Sequence, residues 1–286
     1  MEIIATGPGN AIVKEGETLS EYEAGRYQRQ LPLWGVEGQE HLRCARVLVA
    51  GVGGLGTIVA AYLASAGVGF LRLVDHDRVV ISNLNRQVLF QATDIGREKT
   101  AAASERLQSL NPSIRIEAIP RMLDKETVDE LTQDIDLIVD ALDNFTTRFL
   151  INRAAFTRRL PLIHGAVRGF FGQASTLIPG LTACLQCLIA HSPPPEVFPI
   201  IGGTCGVIGA VQATEAVKVL TGKGKPLTNR LFSWDGQVGE GTILIVERNP
   251  HCVICGGDSD KTALPLGDRN PLAGGNIILS EPHKGK

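Results

Sequence analysis

The sequence predicts an α/β fold in which a Rossmann-type, mostly parallel sheet carries helices on both faces and is extended by antiparallel strands. Three observations lead to this prediction. Short apolar runs alternate with helix-length segments through the first half of the chain, a rhythm typical of parallel strands joined by right-handed crossovers. A glycine-rich turn, GVGGLG, follows the first apolar run. Two C-x-x-C pairs in the second half can hold distant loops together.

The elements of the first half follow one another in regular order. Residues 46–50 (RVLVA) form a continuous apolar run, as expected for a strand buried on both faces. The segment 57–66 (TIVAAYLASA) has the length of a helix and precedes Gly67, a residue type that commonly ends helices. Further strands are predicted at 70–75, 114–119, 137–142 and 161–167, and further helices at 96–110 and 146–159.

The second half follows a different pattern, which predicts antiparallel additions to the edge of the sheet. A strand is predicted at 172–178 (GQASTLI), just before a Pro-Gly turn. After a helix at 206–221, two further strands are predicted at 230–234 and 242–247. Such closely spaced strands can pair through short turns, as antiparallel neighbours do.

We expect one folded domain over residues 21–256. Residues 1–20 are mixed and contain glycine, so they are predicted to be a flexible lead-in. Residues 257–286 are rich in Gly, Pro and charge, a composition that predicts a disordered tail.

Composition and charge exclude some classes of function. The 286 residues are 44% hydrophobic and 20% charged, and the net charge of −2 disfavours direct nucleic-acid binding and binding to membrane surfaces. No signal peptide is visible, and no apolar stretch approaches the roughly 18 residues that a membrane span needs. We therefore expect a cytoplasmic protein whose six cysteines stay reduced and serve metal binding or catalysis.

The glycine turn predicts a site for an adenine nucleotide. Gly51, Gly53 and Gly56 satisfy G-x-G-x-x-G between a strand and a helix, where backbone N–H groups can approach a phosphate. Asp75 ends the next strand, where a carboxylate can accept hydrogen bonds from ribose hydroxyls. The alternative is a glycine turn that serves close packing alone.

Basic residues beyond the turn favour ATP over a dinucleotide. A dehydrogenase needs little more than the turn and Asp75, whereas this chain continues into a polar stretch that contains Asn83 and Arg86, and Lys99 follows on the next helix. Transfer of an α-phosphoryl group requires cations that balance the charge on the leaving pyrophosphate. Taken singly, Arg86 and Lys99 resemble ordinary surface charges, so the argument depends on the set.

Asp143 is the predicted ligand for Mg²⁺. It lies just after the strand at 137–142, and open α/β sheets bind their ligands at the carboxyl ends of strands. Mg²⁺ commonly binds through one or two carboxylates together with phosphate oxygens.

The cysteine pairs predict a structural zinc site, which is the last part of the predicted fold. Cys184 and Cys187 form one C-x-x-C pair, and Cys252 and Cys255 form the other. Four thiolates make a closed tetrahedral zinc site without an open position for substrate. Two redox-active pairs are the alternative, which is disfavoured because neither pair opens a helix of a thioredoxin-like unit.

A series of longer strings occurs in a fixed order along the chain. They are RYQRQL (26–31), GVGGLG, VDHDRVVISNLNRQ, GREK (96–99), DALDN (140–144), the two cysteine pairs, GVIGAVQATEAVKVLTG (206–222) and RNPHCVICG (248–256). Through these strings the chain resembles the MoeB/ThiF/HesA adenylyltransferases, relatives of the ubiquitin-activating enzymes, over about residues 20–256.

The resemblance implies a role for each polar residue of the site. Asp75 holds the ribose, and Arg86 and Lys99 bind the phosphates. Asp143 coordinates magnesium and orients the reacting groups. Arg29 matches the arginine that reaches into the partner subunit's active site, so a homodimer is implied, and the implied substrate is the Gly-Gly tail of a ubiquitin-like sulfur-carrier protein. The predicted ATP-binding residues are Gly51, Gly53, Gly54, Gly56, Asp75, Asn83, Arg86, Lys99 and Asp143.

The chain departs from sulfur-transferring members of the family at one place. Many of those members carry a cysteine about a dozen residues after the first zinc pair, whereas residues 189–203 here contain none. Cys205 is the next cysteine, and it is expected to be buried at the start of a helix; the alternative is a reactive thiol at the helix N-terminus that takes part in sulfur transfer. Cys44 is also expected to be buried. The missing cysteine argues against covalent sulfur relay but leaves adenylation intact.

The function predicted from the sequence is ATP-dependent adenylation of a Gly-Gly carboxylate on a ubiquitin-like sulfur carrier, with release of pyrophosphate. Three alternatives remain open. The same machinery could activate a small-molecule or RNA-borne carboxylate. The glycine turn and Asp75 alone would suit an NAD-dependent oxidoreductase. A non-catalytic scaffold is disfavoured because Arg29, Arg86 and Lys99 occur together with Asp143.

Overall fold

The computed structural model describes residues 19–189 and 198–256. The predicted lead-in at 1–20 lies almost wholly outside the described residues, and the predicted tail at 257–286 lies outside them altogether. The helices are α1 (Glu21–Tyr27), α2 (Leu31–Cys44), α3 (Gly54–Ala66), α4 (Lys99–Leu110), α5 (Val128–Leu131), α6 (Phe145–Arg158), α7 (Leu185–Leu188) and α8 (Gly202–Thr221). The strands are β1 (Arg46–Ala50), β2 (Phe70–Val74), β3 (Arg115–Ile119), β4 (Leu137–Asp140), β5 (Leu162–Arg168), β6 (Phe171–Leu177), β7 (Arg230–Asp235) and β8 (Glu240–Ile245).

All eight strands form one sheet, and its order confirms the predicted α/β fold class. The order is β3-β2-β1-β4-β5-β6-β7-β8. The first five strands of this order are parallel, and β6, β7 and β8 extend the sheet in antiparallel pairs, beginning with β5 beside β6. The strand order reverses between β1 and β4, which is where an open α/β sheet places its ligand crevice.

Alternation along β1 divides the core into two layers. Val47 and Val49 face the layer that holds α2, α3, α4 and α8, whereas Leu48 and Ala50 face the layer that holds α5 and α6. All four side chains are fully buried. Helices therefore cover both faces of the parallel part of the sheet, as a strand without polar alternation predicts.

Several helices begin earlier or later than the sequence predicts. The helix predicted at 57–66 begins at Gly54, inside the glycine motif, and the helix predicted at 206–221 begins at Gly202. The helix predicted at 96–110 begins at Lys99, because Gly96 has a φ of 89° and Glu98 is extended and pairs with Arg78 in an isolated bridge. The helices α1 and α2 were not predicted. Arg26 of α1 donates to the carbonyl oxygen of Leu110 at the end of α4, and Gln30, just before α2, donates to the carbonyl oxygen of Ala66 at the end of α3.

No helix among residues 19–189 and 198–256 combines the length and the apolar character required to cross a bilayer.

Candidate active site and cysteine cluster

The glycine turn joins β1 to α3, and its glycines serve different purposes. Gly51 has a φ of 90°, and a Cβ added to it would lie 2.7 Å from the carbonyl oxygen of Ala141. A Cβ on Gly56 would lie 1.9 Å from the carbonyl oxygen of Gly51. These two glycines are therefore required by packing within the chain itself.

Gly53 is the glycine that internal packing does not explain. The nearest atom to a Cβ placed on it is the side-chain nitrogen of Gln87, at 3.9 Å, so the space beside the turn is open. Gln87 is buried, and its side-chain oxygen has no hydrogen-bond partner among the described residues. An open cradle at the N-terminus of a helix suits a phosphate group, because backbone N–H groups and the helix dipole both favour an anion there.

Asp75 connects the turn to the end of β2. One carboxylate oxygen accepts a hydrogen bond of 2.8 Å from the N–H of Val52, and the other accepts one of 2.9 Å from the N–H of Asp77. Asp75 thus fixes the position of the turn, in addition to the ribose contact that the sequence predicts for it.

Lys99 is buried at the start of α4. Only 5% of the residue is exposed, and its Nζ lies 2.7 Å from the carboxylate of Asp77, which is half exposed. Asp75, His76 and Asp77 offer ligand atoms within 4.8 Å of one another, but Asp77 is already committed to Lys99. A single ion pair at the edge of the crevice leaves the ammonium group able to bind a phosphate oxygen as well.

Arg86 lies beside the glycine turn. Its Nη1 donates to the carbonyl oxygen of Ser82 at 2.8 Å and to the side chain of Asn85 at 3.0 Å. Its Cγ lies 3.5 Å from the place that a Cβ on Gly54 would occupy. Asn83 is buried and accepts a hydrogen bond of 3.1 Å from the N–H of Val80, so it stabilises the 3-10 turn at Ile81–Asn83. Its contact with a nucleotide stays a prediction.

Asp143 is exposed and lies three residues after the end of β4. Its carboxylate is 3.5 Å from the amide nitrogen of Asn144, which itself caps α6 by accepting a hydrogen bond of 2.9 Å from the N–H of Thr147. Because the residue is exposed, its carboxylate fits the role of a magnesium ligand that also leaves room for phosphate oxygens.

The predicted site residues fall at two ends of the molecule. The glycine turn, Asp75, Arg86, Lys99 and Asp143 all lie at the carboxyl edge of the sheet. Arg29 is exposed on the turn before α2, and the next residue, Gln30, donates to the carbonyl oxygen of Ala66 at 2.8 Å.

Ala66 ends α3, whereas the glycine turn begins it. A helix of 13 residues separates these two positions by about 18 Å. Arg29 is therefore remote from the glycine turn of its own chain.

A buried polar network behind Asp143 was not predicted from the sequence. Asp140 and His164 are fully buried, with 2.8 Å between His164 Nδ1 and the carboxylate, and Arg148 lies 3.8 Å from the other carboxylate oxygen. Burial opposes the charged form of Asp140, but Arg148 and His164 outweigh it and hold the pKa of Asp140 below its ordinary value. Burial lowers the pKa of His164, so the neutral ring donates from Nδ1 to an ionised Asp140.

The four predicted zinc ligands come together. Their sulfur atoms all lie within 4.8 Å of one another, with 3.6 Å between Cys184 and Cys252 and 3.3 Å between Cys187 and Cys255. A tetrahedral zinc site with bonds of about 2.3 Å places its sulfur atoms about 3.8 Å apart, so the cluster is compatible with one ion. The ion would join α7 to the turn at 252–255.

The protonation of these thiols depends on their surroundings. Burial raises the pKa of Cys184 to about 11. For Cys252, burial acts in the same direction, but the N–H groups of Cys255 and Ile254 overcome it and lower the pKa to about 7. A metal that binds all four sulfurs must therefore displace protons, and its affinity falls as the pH falls.

The two remaining cysteines differ. Cys205 is 1% exposed in the first turn of α8, and burial raises its pKa, so the predicted burial is confirmed. Cys44 is exposed, and the prediction that it is buried is wrong. It is the last residue of α2, and its side chain points away from the core although its neighbour Ala45 is buried.

Known proteins resemble this chain over most of its length. Residues 27–254 match the ThiF family. The chain is 44% identical over 255 residues to a protein of Thermus thermophilus named sulfur carrier protein adenylyltransferase, covering 85% of this chain and 94% of that protein. It is 38% identical over 247 residues to the SAMP-activating enzyme E1 of Haloferax volcanii, covering 84% of this chain and 91% of that protein.

Solved structures agree with this assignment at the level of the fold. A crystal structure of Escherichia coli MccB with ATP has a TM-score of 0.75 and 25% identity, covering 83% of this chain and 76% of that one.

The protein HesA of Trichormus variabilis is 38% identical over 245 residues, covering 84% of this chain and 92% of that protein. The chain therefore belongs to the ThiF family, the MoeB/ThiF/HesA group that its sequence motifs predict.

Proposed function

We propose that this protein uses ATP to adenylate the C-terminal Gly-Gly carboxylate of a ubiquitin-like sulfur-carrier protein and releases pyrophosphate. The observation that carries the proposal is the convergence of the open glycine turn at Gly53, Lys99 and Asp143 at one edge of the sheet. The relative from Thermus thermophilus, named for the adenylation of a sulfur carrier protein, supports this choice of substrate.

Each proposed site residue either holds the nucleotide in position or offsets the negative charge of its phosphates. The glycine turn and Asp75 hold the nucleotide through its phosphates and ribose, and Arg86 and Lys99 offset the negative charge of the phosphates. Mg²⁺, held by Asp143, would supply further compensation for the charge of the leaving pyrophosphate.

The substrate needs no general base. A C-terminal carboxylate has a pKa of about 3.3–3.7 and is already ionised at neutral pH. One carboxylate oxygen attacks the α-phosphorus, and the bond from that phosphorus to the β-phosphate oxygen breaks, so pyrophosphate leaves and an acyl-adenylate remains. The enzyme has to hold the two groups in line, a task suited to a site of fixed cations.

ATP–pyrophosphate exchange with candidate substrates tests this proposal. Exchange that requires a protein ending in Gly-Gly is expected. Exchange with a small carboxylic acid and no carrier protein would instead support the alternative of small-molecule activation. None of the three relatives named above carries the name of an oxidoreductase, so the NAD-dependent alternative receives no support.

We further propose a homodimer in which Arg29 completes the partner's site. Arg29 precedes Gln30, which is bound to Ala66 at the far end of α3, and α3 extends about 18 Å from the glycine turn to Ala66; this position of Arg29 supports a role in trans. We propose that the adenylation domain spans residues 21–256, and a cytoplasmic location stays a prediction.

Mixing two inactive variants tests the dimer. Arg29→Ala and Asp143→Ala should each be inactive alone, and exchange of subunits should restore activity because one site of each mixed dimer has both residues. Random exchange gives roughly one quarter complete sites in a twofold symmetric dimer. Native mass spectrometry confirms that subunits have exchanged; if activity then stays at background, Arg29 does not act in trans.

A further inference from the structure

Both backbone polar groups of Leu142, the residue before Asp143, are hydrogen-bonded. The N–H of Leu142 donates to Asp140 Oδ1 at 3.2 Å. The carbonyl oxygen of the same residue accepts from Arg148 Nε at 3.1 Å and also from Arg148 Nη2. Arg148 Nη2 donates in addition to the carbonyl oxygen of Gly165 at 3.0 Å, which ties the loop to β5.

The side chains of Asp140 and Arg148 that bind the backbone of Leu142 are buried. Arg148 is 4% exposed, and Asp140 is fully buried. Gln212, on α8, donates to the carbonyl oxygen of Asp140 at 2.8 Å, and His164 lies 2.8 Å from the carboxylate. A buried ion pair of this kind is weak evidence for added stability, because apolar residues of similar volume often serve as well.

Asp143 lies between two anchored points. Before it, Asp140 accepts from the N–H of Leu142 and Arg148 donates to the carbonyl oxygen of Leu142; after it, Asn144 caps α6 by accepting from the N–H of Thr147 at 2.9 Å. Within the described part of the chain, the side chain of Asp143 has only the long contact with Asn144, so the place from which its carboxylate extends is set by the backbone on either side of it.

We propose that Arg148 is a positioning residue for the reaction, which holds the Asp143 carboxylate in the direction needed for a divalent cation bound with the nucleotide. This inference rests on the proposed function, in which Asp143 holds Mg²⁺. Groups that orient a metal ligand commonly change metal affinity or activity by about 10-fold to 100-fold when they are replaced. A purely structural arginine would change stability without changing metal affinity in the folded protein.

The test compares Arg148→Lys with the control Arg153→Lys. Lysine keeps the positive charge beside Asp140 but lacks the planar donors that reach Leu142 and Gly165 together. Arg153 is exposed on the same helix. Mn²⁺ serves as the probe, and its affinity is measured by electron paramagnetic resonance with α,β-methylene-ATP, which needs no carrier protein.

Mn²⁺ affinity in Arg148→Lys should fall by about 10-fold or more, and the amide of Leu142 should exchange with deuterium faster. In carrier-dependent ATP–pyrophosphate exchange, Arg148→Lys should show a lower kcat with a smaller change in KM for the carrier. The control should match wild type in all three measurements, with folding of each variant checked by circular dichroism.

Mn²⁺ affinity that stays within about twofold of wild type in a folded Arg148→Lys protein would overturn the inference. A second measurement needs no variant. If the Leu142 amide of wild type exchanges as fast as exposed loop amides, the peptide is not held in solution and the inference fails. If no carrier ending in Gly-Gly supports ATP–pyrophosphate exchange by the wild-type protein, the proposed function alone is contradicted. Neither the Mn²⁺ measurement nor the amide measurement uses a carrier.

Discussion

Lys99→Ala and Asp143→Ala are each expected to reduce ATP–pyrophosphate exchange by about 100-fold to 1,000-fold, or to background. Such losses correspond to about 2.7–4 kcal/mol of transition-state stabilisation. Lys99 supplies a buried positive charge at the crevice, and Asp143 supplies the exposed carboxylate. The neighbour of Lys99, Asp77, has the opposite charge and cannot replace it.

Both variants should fold. Asp143 is exposed, and removal of Lys99 leaves Asp77 half exposed and therefore hydrated rather than buried without a partner. Arg106→Ala is the matched control, because Arg106 is an exposed cation on the same helix as Lys99. Near-normal exchange in either variant, with the thermal unfolding midpoint unchanged, would show that the residue concerned has been assigned wrongly.

Loss of the metal is expected to have the largest effect on stability. Freshly purified reduced protein should contain about one zinc ion per chain, and Cys184→Ser should remove it. Structural zinc sites in small domains bind with apparent free energies of about 10–16 kcal/mol, part of which is folding free energy. Here the ion would join α7 to the turn at 252–255, so its loss should lower the thermal unfolding midpoint.

Zinc release should also follow the pH. The thiols must be deprotonated to bind the metal, and burial raises the pKa of Cys184 to about 11, so acid favours the metal-free form. Metal analysis by mass spectrometry and thermal unfolding provide the measurements. Cys44→Ser is the control, since Cys44 is an exposed cysteine outside the cluster. The prediction of a zinc site would be contradicted if the reduced protein contained no zinc, or if all four thiols of the cluster could be titrated.

The parallel half of the sheet was predictable because its signal is local. Strand β1 has no polar residue from Val47 to Ala50, and these four side chains are fully buried. The glycine motif marks the following turn, and Gly51 and Gly56 are required there by close backbone contacts. The cysteine pairs were predictable for a different reason, since the spacing within each pair already suits one metal ion.

Other features depend on contacts that the sequence does not display. Arg148 lies in α6 and His164 in β5, and nothing in the sequence around either residue reveals that both meet Asp140 in the core. The helix α1 is a different case: Ser20 and Glu23 form a capping box, a sequence signal that could have predicted the start of this helix. In the proposed homodimer, the position of Arg29 relative to the partner's site depends on how two chains pack together, which the sequence of one chain does not display.

The central claim is that the product is an acyl-adenylate at the C-terminus of a carrier protein. The most direct measurement is the intact mass of a ubiquitin-like carrier after incubation with this enzyme, ATP and Mg²⁺, with a carrier lacking its terminal glycine as the control. The account predicts an AMP adduct on the full-length carrier that maps to its last residue, is absent from the truncated carrier and disappears with excess pyrophosphate. An adduct elsewhere on the carrier, or consumption of ATP with no carrier adduct and a small acid as the activated species, would contradict it.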